Sequence, residues 1–133
     1  MELESVEYDL TVCKIDSIEH VDFTSELVFL SKTADEISLV CETDRVPKNT
    51  IESEPGWKAL KVAGMLDFGM IGVVAKISNI LAESKISIFV VSTYNTDYVL
   101  MKSEDFDSGV QALEKNGYIV LRHREEQSDV AIQ

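Results

Sequence analysis

The chain has 133 residues, 45% apolar and 27% charged, the balance of an ordinary globular protein and not of a disordered one. Twenty-four acids against twelve bases leave a net charge of −12, a surface that repels phosphate backbones and argues against a nucleic-acid partner. No apolar stretch approaches the roughly 20 residues that span a bilayer, and the acidic start MELESVEYDL lacks the basic region of a secretion signal. The expectation is a cytoplasmic protein with no membrane partner.

Strand signals come first, at Tyr8–Ile15, where Leu10 and Val12 belong to a β-favourable run. Ser17–Phe23 holds at most a turn or two of helix. Glu26–Ser31 and Glu36–Cys41 flank Lys32-Thr-Ala-Asp35, the pattern of a hairpin. Glu42–Val46 has room for one helical turn before Pro47 stops it. Thr50–Gly56 (TIESEPG) is polar and ends in Pro-Gly, which predicts a linker. Trp57–Met65 resumes a strand.

From Met70 to Ser84, Val73, Val74, Ile77, Ile80 and Leu81 recur at helical spacing, with Lys76, Asn79 and Glu83 opposite. Ile88–Met101 (IFVVSTYNTDYVLM) predicts a second hairpin around a polar break. Ser103–Asn116 is a second helix, with Phe106, Val110 and Leu113 at i, i+4 and i+7. Ser103 is its expected N-cap, with Glu104, Asp105 and Asp107 at the positive end of the dipole. Asn116-Gly117 supplies a left-handed stop. Tyr118–Arg122 is a last strand and Glu125–Gln133 a loose tail. The second half therefore runs β-α-β-β-α-β, a ferredoxin-like order with helices on one face of a sheet.

Cys13 and Cys41 stand in apolar runs without a C-x-x-C or a zinc spacing, and are expected to be reduced core residues. His20 and His123 have no evident catalytic or ligating partners. No nucleophile-base set, Gly-rich phosphate loop or metal cluster is visible. Neither an enzyme nor a cofactor is expected.

A shift of 61 residues lays FLSKTADEISLV (29–40) on VVSTYNTDYVLM (90–101), with Ser31 on Ser92 and Glu36 on Asp97. A shift of 50 lays LTVCKI (10–15) on LKVAGM (60–65). The difference of 11 residues is about three helical turns, close to the helix missing from the first half. The chain thus predicts a degenerate tandem duplication.

Gly72-Val-Val-Ala-Lys-Ile-Ser-Asn-Ile-Leu-Ala-Glu-Ser-Lys-Ile-Ser-Ile88 resembles the first helix and second strand of an ACT domain, the amino-acid-binding module of aspartate kinase. LDFGMIGV (66–73) and SIFVVSTYNTDYVLM (87–101) are similar to stand-alone tandem-ACT proteins and to the eukaryotic cytosolic arginine sensor. The match is good from about Trp57 to Gly117 and loose before it. The resemblance implies an α+β fold of two ferredoxin-like βαββαβ (ACT-like) units in tandem, sharing or adjoining one sheet. Residues 1–56 would be a degenerate unit with shortened helices, 57–124 the full ACT domain, and 125–133 a tail. It implies a ligand held where ACT units meet, by Asp67, Gly72, Val73, Thr93, Tyr94, Thr96 and Asp97. Met70 stands where the arginine sensor uses an acidic residue, which departs from an arginine site.

An α-amino acid needs donors for its carboxylate and a negative group for its ammonium. The segment Asp67–Gly72 enters a helix whose first N–H groups lack partners, and Asp97 supplies the opposite charge. Two plainer roles stand beside these: Asp67 as a helix cap, and Asp97 bonding its own turn. The leading expectation is a non-catalytic amino-acid sensor, a homodimer that passes occupancy to a partner protein. The alternative is an interaction module that binds no small ligand.

Overall fold

The computed structural model describes residues 1–62 and 72–123. In chain order the elements are β1 (Glu2–Ile15), β2 (Val28–Lys32), β3 (Ile37–Glu42), β4 (Thr50–Val62), α1 (Val73–Glu83), β5 (Phe89–Ser92), β6 (Asp97–Lys102), α2 (Ser103–Lys115) and β7 (Ile119–Leu121). The fold is α+β with antiparallel hairpins β2–β3 and β5–β6. Two compact units emerge: Met1–Tyr8 with Lys58–Gln133, and Asp9–Trp57. None of the described helices is long and apolar enough to cross a membrane.

In the Asp9–Trp57 unit, β1 pairs antiparallel with β3 from Leu10↔Glu42 to Ile15↔Ile37. Cys13, Ile15, Leu39 and Cys41 form its core, under Val21, Val28, Ile37 and Val46. Both cysteines are free and buried, as expected. No α-helix forms here. Between β1 and β2, polar side chains take the backbone partners a helix would need: Thr24 N–H donates to the Asp22 carboxylate at 3.0 Å, and Leu27 N–H to Ser25 Oγ at 3.5 Å. After β3 a single 3-10 turn, Thr43–Arg45, stands before Pro47.

The Met1–Tyr8/Lys58–Gln133 unit contains the β-α-β-β-α-β order of β4, α1, β5, β6, α2 and β7. Its core joins Leu3, Leu60 and Val62 to Ile77 and Leu81 of α1 and to Phe106, Val110 and Leu113 of α2. A simple ferredoxin-like sheet would seat the closing strand beside the opening one. Here β1 lies between β7 and β4, and Glu2, Leu3 and Glu4 pair in parallel with Ile119, Val120 and Leu121.

Two local readings change. Thr50–Gly56 is not a linker but the first part of β4. Its residues from Ile51 to Gly56 are exposed, and Gly56 takes φ +87° directly after Pro55. Ser103 is the first residue of α2 and not its cap; Lys102 holds the cap position and makes no side-chain capping bond. At the other end Gly117, φ +92°, takes the left-handed stop, while Asn116 stays at φ −101°. The strand end at 63–65, the helix start at Met70 and the tail at 125–133 lie outside the described residues.

The two hairpin turns carry the same backbone bond, in a register other than the one expected. Thr33 N–H donates to the Glu36 carbonyl at 2.9 Å and Thr93 N–H to the Thr96 carbonyl at 2.8 Å. Thr33 thus matches Thr93 and Glu36 matches Thr96, a shift of 60 residues and not 61. Ile37–Glu42 and Asp97–Lys102 then carry the same burial pattern, with their third to fifth residues buried. Asp97 corresponds to Ile37, not to Glu36.

Candidate functional site

The β5–β6 turn is held together by Thr93. Its hydroxyl donates to the Thr96 carbonyl at 3.0 Å and accepts the Thr96 N–H at 3.3 Å. Thr96 is buried, 4% exposed, and its hydroxyl donates to the Val62 carbonyl at 2.9 Å, fixing the turn to the end of β4. Thr96 is therefore a structural bond of the hairpin. Tyr94 stands at the tip with 80% of its surface exposed, so its ring does not lie on the core. Asp97 begins β6, half-buried and laddered to Ser92. Its carboxylate has no hydrogen bond or ion pair with any described residue. Turn-stabilising chemistry, one of the two roles open to Asp97, belongs to Thr93 instead.

Helix α1 starts after Gly72, which holds φ +78° and offers no side-chain cap. A Cβ at Gly72 would meet nothing within 4 Å, so the glycine is required by its backbone angle and not by crowding. The first turn closes with Lys76 N–H donating to the Gly72 carbonyl at 2.9 Å. Asp67 lies outside the described residues.

Val73 borders a cavity of about 570 Å³ lined also by Met1, Lys76, Asn79, Ile80, Asn116, Gly117 and Tyr118. Thr93, Tyr94, Thr96 and Asp97 do not line it. Hydrogen bonds join Thr93 and Thr96 in the turn that Asp97 follows, and Val73 borders the cavity beside α1. Sequence reasoning assigned Lys76 and Asn79 only to the solvent side of α1. The spacing of Val73, Lys76 and Ile80 along one flank was the available signal.

A second polar cluster ties β7 to β1. Arg122 donates from Nε to Glu7 Oε2 at 2.9 Å and from Nη2 to Glu7 Oε1 at 2.7 Å, and Nη2 also reaches Asp107 Oδ1 at 2.9 Å. Ser5 Oγ donates to Glu7 and accepts the His123 N–H. Burial raises the pKa of the Glu7 carboxyl, but bonds from Arg122 and Ser5 and the charges of Arg122 and Lys58 outweigh it and hold the group below its usual range. The Arg122 guanidinium lies 5.3 Å from the centre of the Phe106 ring. In the other unit, burial and the adjoining Cys13 push the Cys41 thiol up to about 12. Among the described residues no group of His, Cys, Asp and Glu could hold a metal ion.

The ACT domain model matches residues 52–115. The chain is 28% identical to the structure of protein Atu0741 from Agobacterium tumefaciens, covering 93% of this chain and 94% of that one at a TM-score of 0.83. It is also similar to VC0802 of Vibrio cholerae, described as a possible transport protein of unknown function, at 20% identity, 84% and 85% coverage and a TM-score of 0.70. A putative C-terminal regulatory domain of aspartate kinase from Porphyromonas gingivalis aligns over 85% of this chain and 92% of its own length, at 18% identity and a TM-score of 0.54. No curated protein sequence matches the chain. The family match covers just under half of the chain, and the neighbours below 25% identity show a shared fold.

Proposed function

We propose that this is a non-catalytic cytoplasmic regulatory protein built of two ACT-like units, residues 1–56 and 57–124, that binds a small amino acid and reports its presence to a partner protein. The carrying observation is the state of Asp97: half-buried at the head of β6, in a turn that Thr93 closes without it. A carboxylate released from turn duty is available for the ammonium group of a ligand. A charged hydrogen bond of that kind is worth roughly 1.5–3 kcal/mol, one to two decades of affinity. The uncapped start of α1, at Gly72 and Val73, would take the ligand's carboxylate; Asp67 and Tyr94 are further candidates for contact with the ligand.

The duplicated turn supports the tandem reading, since Thr33 and Thr93 make the same bond at a constant shift. In ACT assemblies such as the resemblance implies, the ligand sits where units meet, and a homodimer follows.

The test is a thermal-shift screen of the twenty amino acids at millimolar concentration. A ligand bound only by the folded chain raises stability by about 2.7 kcal/mol at 100 times its Kd. Asp97→Ala should abolish the shift while leaving the unliganded melting temperature nearly unchanged. Flat curves across the panel would favour an interaction module that binds a protein and no small ligand.

A further inference from the structure

We infer that the cavity beside α1 is a second binding site, one for a monocarboxylate with an apolar body, for which an α-amino group contributes nothing. At about 570 Å³ it falls in the range of small-molecule sites, roughly 300–1,000 Å³. Its lining divides cleanly by chemistry. Val73 and Ile80, about two helical turns apart on α1, and the half-buried Tyr118 give an apolar wall. Lys76 lies between them in sequence and Asn79 one turn beyond it, so an ammonium and a carboxamide face the same space.

Neither Lys76 nor Asn79 is engaged by another described residue through a side-chain hydrogen bond or ion pair. Asn116 differs: its Nδ2 already donates to the Ala112 carbonyl at 2.8 Å, leaving its oxygen as an acceptor. Among the described residues no acidic side chain lines the cavity. A carboxylate can therefore pair with Lys76 and accept from Asn79, while an ammonium meets the like charge of Lys76 and, among the described side chains, carboxamide oxygens but no carboxylate. This sets the cavity apart from the Asp97 turn, whose charge selects the opposite group. The site needs neither Asp97 nor the amino-acid reading above.

The test is a titration of the 15N-labelled protein with 4-methylpentanoate, leucine and 4-methylpentylamine, followed by amide shifts. The acid should move Lys76, Asn79 and Tyr118 saturably, leucine should bind there no more tightly than the acid, and the amine should leave those signals in place. Lys76→Gln, an exposed substitution, should weaken the acid about tenfold or more, and Asp97→Ala should not change it. Several results would overturn the site: no saturable shift at those three residues, amine binding equal to acid binding, or an unchanged affinity in Lys76→Gln. A response lost in Asp97→Ala but kept in Lys76→Gln would also overturn it, while leaving the regulatory reading intact.

Discussion

Glu7 and Arg122, 115 residues apart in sequence, meet in a two-pronged ion pair in which Glu7 is 8% exposed. Such a pair is held by geometry: both carboxylate oxygens accept, and the guanidinium rests over Phe106. Removing one partner leaves the other charge in a poorly solvated place, which is why the loss exceeds the pair's net worth.

Glu7→Gln should therefore lower unfolding stability by about 2 kcal/mol at neutral pH, read from urea midpoints. The pH dependence carries its own sign. The folded carboxyl lies below its ordinary value, so its contribution is present above the unfolded pKa and is lost as pH falls through the folded one. The gap between wild type and Glu7→Gln should close in acid, below about pH 4.5. A constant gap down to pH 2 would show that the charge is not the cause.

Thr96→Val keeps the size of a buried side chain and deletes its bond to the Val62 carbonyl. The orphaned carbonyl should cost about 1–2 kcal/mol, whereas Thr96→Ser, which retains the hydroxyl, should cost less than half of that. Equal losses would point to the methyl group.

Gly109 faces Met101 across the helix–sheet contact. A Cβ there would stand 2.5 Å from Met101 Sδ and 3.3 Å from a Leu81 methyl. Alanine favours a helix over glycine by about 1 kcal/mol, but overpacking costs about 1–3, and Met101 and Leu81 are both fully buried. Gly109→Ala should lower the urea midpoint, and adding Met101→Ala should cost less than in the wild-type background. Simple additivity would remove the clash as the explanation.

Cys41 should resist iodoacetamide at pH 8 in the folded protein and react once urea unfolds it, because burial and the neighbouring Cys13 hold its thiol near 12. Labelling of both cysteines before unfolding would contradict that environment.

The helices were legible because their apolar residues repeat at one period and pack where that period points: Ile77 and Leu81 in α1, Phe106, Val110 and Leu113 in α2. The hairpins were legible as hairpins, but their mutual register was not. Leu39, Val40 and Cys41 are all buried, as are Val99, Leu100 and Met101. Three consecutive apolar residues fit either of two shifts, and only the Thr33 and Thr93 bonds decide between them. Thr50–Gly56 looked like a linker because its side chains face solvent, although its backbone is laddered. At the turn, sequence chemistry grouped Thr93, Thr96 and Asp97 and could not apportion the bonds among them. Lys76 was invisible as a lining residue because the helical period places it away from the core and does not reveal what stands beside it.

The parallel pairing of Glu2–Glu4 with Ile119–Leu121 bears on how the chain is made. On a ribosome the first strand emerges long before its neighbour β7 has been translated, and must wait with one ladder edge bare. Such edges invite a nascent chain to stick to its twin. Glu2 and Glu4 sit on that waiting stretch, and their like charges on adjacent copies would keep those copies apart until the last strand arrives.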